Sequence, residues 1–357
     1  MRKKVLFILP YPLSLAPSQR FRVELFLPYL LEKGIDYTLA PFMNEATWNV
    51  LYKNGSSIQK TIGIIKGFLK RIKHVFIDAL AYDYIFVHRE ASPIGPPIFE
   101  FILSKIYRKK LIYDFDDAIW IPNTSAENKV VAALKCFWKV PSICKWSYKI
   151  SAGNSYLCNF AAIYNKHVNL VPTCVDTDKM HNKEKVHHNG KPVIGWTGSH
   201  STLFYLNQIM PVLQELDNEY DFSFILIANK DPQLNLKHYK FIKWQESTEI
   251  EDLMKLDIGL MPLQEDAWSE GKCGFKLIQY LSLGIPAIAS PVGVNNEIVL
   301  NEKNGFIART NADWKTALIT LISNSNLRAT MGQHGRQLVI SRYSIKAQLN
   351  NFTQLFE

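Results

Sequence analysis

Cysteine is scarce in this chain of 357 residues: there are five, at positions 136, 144, 158, 174 and 273, an odd number with no CxxC spacing. That excludes a disulfide-stapled scaffold and a cysteine zinc site, and it fits a reducing compartment. Long hydrophobic runs are missing as well. No stretch reaches the ~18 uninterrupted apolar residues of a spanning helix, so no membrane span is expected. The first apolar run, residues 5–9, follows a basic start but is too short for a secretory signal, and it reads as a buried strand. Neither leading strand is followed by Gly-x-Gly-x-x-Gly, which removes the fingerprint of a dinucleotide oxidoreductase. No Ser–His–Asp or Cys–His nucleophile pattern stands out along the chain. No His or third carboxylate has ligand spacing, so no metal site is expected.

What is present is a globular composition, 47% apolar and 20% charged. The length accommodates about two domains at ~150 residues each. The net charge of +9 is uneven, with +10 in residues 1–180 and −1 in residues 181–357. The positive field belongs to the first half. No reader helix, stacking motif or zinc-finger spacing accompanies it, so nucleic acid is not an expected partner.

Short apolar runs alternate with helical patterns. Strands are expected at 5–9, 37–40, 84–88 and 111–113, with helices at 21–31 and 99–107 between them. The second half repeats the arrangement, with strands at 193–196, 222–228, 242–244, 258–261 and 287–290. Its helices are expected at 203–216, 275–282, 314–323 and 326–341. Such βα alternation makes parallel sheets covered by helices. The boundary is placed at Pro172, whose ring holds Val171 extended. This gives domains of residues 1–172 and 173–341, and a last helix within 342–357 that can return to the first domain.

The most informative segment runs from Trp268 to Gly293. A charged loop, Glu270-Gly271-Lys272-Cys273-Gly274, enters an apolar helix beginning Phe275-Lys276. The helix carries Gln279 and stops at Gly284-Ile285-Pro286; a small strand then leads to the turn Pro291-Val292-Gly293. Unpaired N–H groups at a helix start suit phosphate. Gly271 and Gly274 admit a ligand close to the backbone, and Lys272 supplies a cation. An ordinary βαβ connection with a solvated lysine is the alternative.

This segment resembles the nucleotide-sugar signature of retaining glycosyltransferases of the GT-B fold, in glycosyltransferase family 4, and its wording is similar to a bacterial polysaccharide-biosynthesis subgroup. The resemblance implies an α/β fold with two Rossmann-like domains whose parallel sheets face across a cleft. It implies hexosyltransferase-like transfer from a nucleotide-diphosphate sugar, as donor substrate rather than bound cofactor, to a hydroxyl of a glycan or lipid-linked saccharide. The family's sugar-contacting Glu aligns with Gly271, one residue from Glu270, and its ribose-binding Glu aligns with Gln279. Glu297, after the Gly293 turn, contacts ribose or answers the helix dipole. Gly198 and Ser199 stand where the family places its diphosphate loop, or cap the next helix. The family's cations after that loop are missing, since residues 203–214 contain no Lys or Arg. Lys272, Lys276 and the first domain are left to neutralise phosphate, and Lys230 is a candidate lining residue.

In the first domain, Arg20 is the candidate phosphate or acceptor contact, and Arg22 is expected on a helix surface. His88, Asp116 and Asp117 lie just past strands, at the edge where α/β sites form. They are candidate contacts for sugar hydroxyls, with helix capping or solvated charge as the alternative for the two aspartates. Asn154 reads as a turn residue or a ligand contact. The catalytic candidates are thus His88, Asp116, Asp117, Glu270 and Lys272. The donor-binding candidates are Arg20, Gly198, Ser199, Lys230, Lys272, Gly274, Phe275, Lys276, Gln279 and Glu297.

Ile58, Ile62, Ile65, Leu69, Ile72 and Phe76 recur at helical spacing among Lys60, Lys66, Lys70, Arg71 and Lys73, and a second mixed stretch spans residues 135–149. A basic amphipathic helix can lie on an anionic membrane surface. The alternative is that the apolar faces pack on the sheet and the lysines are solvated. A cytoplasmic protein, peripheral at the inner face of the plasma membrane, is the expected location. Two other functions remain compatible with the sequence: a nucleotide-sugar epimerase or hydrolase on the same scaffold, and a non-catalytic nucleotide-sugar-binding protein.

Overall fold

The computed structural model describes residues 2–51, 55–122 and 134–357. The chain divides into two units. One holds the residues up to Thr173 together with Gln348–Glu357, and the other holds Cys174–Ala347.

The first unit is built on six strands: β1 Lys3–Leu9, β2 Ile35–Pro41, β3 Tyr84–His88, β4 Lys110–Phe115, β5 Lys149–Ala152 and β6 Val168–Leu170. All pair in parallel, in the order β2-β1-β3-β4-β5-β6. The second unit has β7 Val193–Gly198, β8 Ser223–Ala228, β9 Tyr239–Lys243, β10 Ile258–Met261, β11 Ala287–Ala289 and β12 Gly305–Ile307. These too are parallel, in the order β12-β11-β10-β7-β8-β9. Val5–Leu9 and the whole of β3 are buried, which is why they read as unbroken apolar runs. The direction of winding reverses between β1 and β3 in one sheet and between β7 and β10 in the other. Ligand sites of parallel sheets form at the carboxyl ends of such strands.

Two helices expected as single elements are broken, both by proline. Residues 21–31 form a helix over Pro17–Arg22, a tight turn at Glu24–Phe26 and a second helix over Leu27–Glu32. Residues 203–216 divide into a tight helix over His200–Gln208 and an α-helix over Met210–Glu219. Pro28 and Pro211 lack an N–H, and their rings clash with the carbonyl four residues back, so each sits in the first turn of a new helix.

The basic amphipathic segment is a helix, Ser57–Phe76, and the alternative in which its apolar stripe packs on the sheet is overturned, since that stripe is exposed. Its buried residues are Gly63, Gly67, Arg71 and Val75. A Cβ on Gly67 would lie 2.4 Å from the Phe42 ring, and one on Gly63 would lie 2.5 Å from Thr47 Cγ2. Arg71 donates to the carbonyls of Leu9, Ala40 and Ala91 at 2.9, 2.9 and 2.7 Å. Burial lowers its pKa to about 9, against the opposing charge of Glu100. Close approach selects small residues for the inner face, and the aliphatic side chains face outward. The stretch at 135–149 departs in the other direction. Lys139 is not solvated: it is buried, 2.8 Å from Glu90 and 3.0 Å from the Ser92 carbonyl.

The end of the chain completes the core of the first unit. Phe352 stacks on Phe26 with ring centroids 4.1 Å apart, and Phe356 packs on Phe7 at 6.2 Å. Tyr148 donates to the Glu357 carbonyl at 2.7 Å.

In the second unit, helix Ser325–Arg342 crosses the turn at Gly284. A Cβ on Gly332 would lie 2.0 Å from the Gly284 carbonyl oxygen, and backbone cannot swing aside. Gly332→Ala is expected to destabilise this unit by about 1–3 kcal/mol through overpacking. Urea unfolding checks this; an unchanged midpoint would refute the contact.

Candidate functional site

In the second unit, β7 ends at Gly198 with no room for a side chain. A Cβ there would lie 2.5 Å from the Trp196 ring and 3.0 Å from Lys276 Cε. Lys276 lies in the first turn of helix Phe275–Ser282, which Gly274 opens at φ +64°, a left-handed conformation suited to glycine. The helix is fixed to the sheet by Tyr280, whose hydroxyl accepts from the Thr197 N–H at 2.9 Å.

Lys276 Nζ rests 4.3 Å from the Trp196 ring centroid and Lys272 Nζ rests 4.7 Å from that of Trp268. Burial, and then the like charge of Lys272, pull the Lys276 pKa down to about 7. Among the described residues Lys276 has no carboxylate or hydrogen-bond partner. Two mutually repelling cations in a partly dry site beside helix N–H groups are receptive to an anion.

The other donor candidates are placed around this pair with different degrees of commitment. Ser199 occupies the cap position of the His200–Gln208 helix, and its carbonyl accepts from Thr202 Oγ1 at 3.0 Å. Glu270 closes the short helix Ala267–Glu270, and Gly293 packs on its backbone, since a Cβ there would lie 2.8 Å from its carbonyl oxygen. Phe275 is partly exposed, Lys230 lies exposed beyond β8, and Glu297 is exposed in the short helix Asn295–Ile298. Gln279 is buried, and its Nε2 donates to Glu249 Oε1 at 3.2 Å. Trp244 Nε1 donates to the same oxygen at 3.2 Å. Glu249 was missed in the sequence because it lies 30 positions from Gln279 and in no motif. A pocket of about 330 Å³ opens in the same unit between Leu263, Ser290, Val292, Arg309 and Trp314; the lysine pair does not line it.

In the first unit, His88 ends β3 with its ring wholly buried. Its Nδ1 is 2.7 Å from Asp114 Oδ2 and its Nε2 is 2.9 Å from Ser18 Oγ. Ser18 Oγ also donates to Asp116 Oδ1 at 2.8 Å; its one proton goes either to that carboxylate or to His88 Nε2, and in the first case the oxygen accepts from Nε2–H. The sequence shows no Ser–His–Asp pattern; the fold assembles one from positions 18, 88 and 114, across three loops and strands.

Arginines balance the carboxylates. Arg22 pairs with Asp114 and the Val171 carbonyl, and it donates to Ser151 Oγ at 3.0 Å. This corrects its expected surface position: the side chain is 1% exposed. Arg20, the candidate phosphate or acceptor contact, is also buried, with its guanidinium over the Phe21 ring at 4.9 Å. Arg89 donates to Asp116 at 2.9 Å and pairs with Asp117. It does so with φ +59°, uncommon for a side-chain-bearing residue and frequent at functional edges. Burial alone would raise Asp114, but Arg22 and His88 hold it below its usual range. Burial is likewise overcome at Asp116, chiefly by Arg89. These two carboxylates are therefore charged at neutral pH. Asn154 caps helix Ser155–Ala162, accepting from the Leu157 N–H at 2.8 Å. Among the described residues no three His, Cys, Asp or Glu side chains cluster as a metal site would.

Two parallel-sheet Rossmann-like domains, one with an anion-receptive lysine pair and one with a buried carboxylate–histidine–arginine network, define an α/β protein of GT-B type. Comparison with known proteins agrees. Residues 227–338 match the family model for glycosyl transferases group 1. An uncharacterized glycosyltransferase of Methanocaldococcus jannaschii is 28% identical over 181 residues, 45% of this chain and 50% of that protein. The match thus spans about half the length of that relative. Sucrose-phosphate synthase from Thermosynechococcus elongatus superposes with a TM-score of 0.71 at 12% identity, covering 99% of this chain and 98% of its own. Anabaena HepE, solved with UDP-glucose, superposes with a TM-score of 0.66 at 15% identity, covering 98% of both chains. At such identities the structural likeness concerns the fold. With the family match, it relates the chain to glycosyltransferase enzymes.

Proposed function

We propose that the chain is a retaining glycosyltransferase that moves a sugar from a nucleotide-diphosphate sugar to a hydroxyl of a glycan or lipid-linked saccharide. The observation that carries this reading is Lys276, which has no counter-charge among the described residues and has its pKa drawn to about 7 beside Lys272, at the start of a helix. The family match over the same stretch and the UDP-glucose bound by the Anabaena neighbour support a nucleotide-sugar donor.

Departure of the sugar leaves negative charge on the diphosphate. Lys272, Lys276 and the N–H groups of the Phe275–Ser282 helix stabilise that charge. Retention follows where the acceptor's proton passes to a leaving phosphate oxygen on the face of attack. In the first unit, Asp116 and Asp117 offer carboxylate acceptors suited to sugar hydroxyls. Glu270 is the carboxylate assigned to the donor sugar. A cytoplasmic location fits the free state of all five cysteines. No helix among the described residues is long and apolar enough to cross a membrane.

Lys272→Ala is expected to slow nucleoside diphosphate release in the presence of acceptor by ~100-fold or more, with unchanged melting. Near-wild-type turnover would sink the assigned phosphate role. Donor hydrolysis is a second reading, favoured by the Ser18–His88–Asp114 line. It requires donor consumption without acceptor, lost in Ser18→Ala.

A further inference from the structure

Helix Ser57–Phe76 buries its smallest side chains and exposes its largest. Ile58, Ile62, Ile65, Leu69, Ile72 and Phe76 are 45% to 77% exposed. Their spacing of four, three, four, three and four residues forms one straight stripe. At 1.5 Å per residue it is about 27 Å long. The helix cannot roll to bury this stripe. Gly63 and Gly67 face Thr47 and Phe42 at distances that exclude even a methyl group, and Arg71 is held by three carbonyls.

Exposed Lys66, Lys70 and Lys73 run along one flank of the stripe, and the helix contains no acidic residue. Asp78, beyond the helix end, lies 3.8 Å from Lys73. On the other flank, Phe68 meets Phe99 at 6.2 Å, which sets helix Ile98–Phe101 alongside with Ile98 and Phe101 exposed. The apolar surface is therefore broader than one helix. An exposed patch of this kind marks an interaction surface.

We propose that this face docks on an anionic lipid bilayer, with the aliphatic stripe among the acyl chains and the three lysines against headgroup phosphates. Charge decides between occupants. A second copy of the helix, parallel or antiparallel, offers no carboxylate to answer the lysines. An anionic surface answers all three and accepts the apolar stripe at the same time. The inference does not depend on sugar transfer, because docking needs neither donor nor acceptor.

The test is flotation of the full chain with phosphatidylcholine vesicles, with and without about 30% phosphatidylglycerol. The chain should float with the anionic vesicles at least ~10-fold better than with neutral ones, and less well in high salt. The double change Ile65→Asp with Leu69→Asp should reduce flotation at least ~10-fold. Ile65→Ser with Leu69→Ser serves if that variant melts early. Lys66→Ala, Lys70→Ala and Lys73→Ala together should abolish the preference for anionic lipid. Lys240→Ala with Lys243→Ala, exposed on the other unit, should change nothing. Absent flotation, flotation indifferent to these variants, or a dimer broken by the aspartate pair without flotation would each overturn the proposal.

Discussion

Lys276→Met should weaken binding of a nucleoside diphosphate such as UDP by roughly 30- to 1,000-fold, the cost of removing one partner of a desolvated charge pair. The same change should make the ligand-free protein more stable. In the folded chain Lys276 has its pKa lowered to about 7, whereas an unfolded lysine keeps its ordinary value near 10.4. Between those values the unfolded state holds more protons. This lysine therefore opposes folding below pH ~7, and stability rises with pH from there to about 10.4. Methionine removes that penalty. Binding lost while stability is gained is a pairing that misfolding cannot imitate.

Binding has a pH signature of the same origin. A bound diphosphate restores the ordinary lysine pKa, so above pH ~7 the complex carries one more proton than the free protein. Affinity then falls by up to about tenfold per pH unit, and calorimetry in buffers of different ionisation heat should show uptake of close to one proton. Lys276→Arg, charged at every pH, should flatten the dependence. Zero proton uptake by the wild type would remove Lys276 from the site.

Asp114→Ala should cost the first unit about 3–5 kcal/mol, because it leaves Arg22 buried without its carboxylate. His88 Nδ1 loses its partner as well. Arg22→Met combined with Asp114→Leu should recover most of the loss, since well-packed apolar replacements of a buried ion pair are often tolerated. Urea unfolding monitored separately for the two units measures both. A single-variant loss below ~1 kcal/mol would mean that the pair is solvated. The recovered double variant should still be impaired in transfer, because the His88 anchor is gone.

The parallel sheets were legible because their strands are buried on both faces, as in β1 and β3. The start of the Phe275–Ser282 helix was legible because glycine, phenylalanine and lysine there each have a local cause. Helix continuity at residues 21–31 and 203–216 was misread for a local reason also present in the sequence, Pro28 and Pro211. Other features depend on contacts that periodicity does not carry. Gly63 and Gly67 define an inner face only once Thr47 and Phe42 are in place. The Ser18–His88–Asp114 line and the Gln279–Glu249 pair join positions 26 to 70 apart, where no spacing rule applies. Arg22 illustrates the same limit: a charged residue on a short helix reads as surface until its buried carboxylate is known.

The aromatic residues of the last ten positions also order events in time. Phe26 and Phe7 are made early, but the rings that close over them, Phe352 and Phe356, are translated after the whole second unit. During synthesis the first sheet waits with part of its core uncovered, so the nascent chain is vulnerable to chaperone capture and aggregation over that interval. Deleting Gln348–Glu357 would therefore do its damage far away in sequence, in the unit built by the residues up to Thr173.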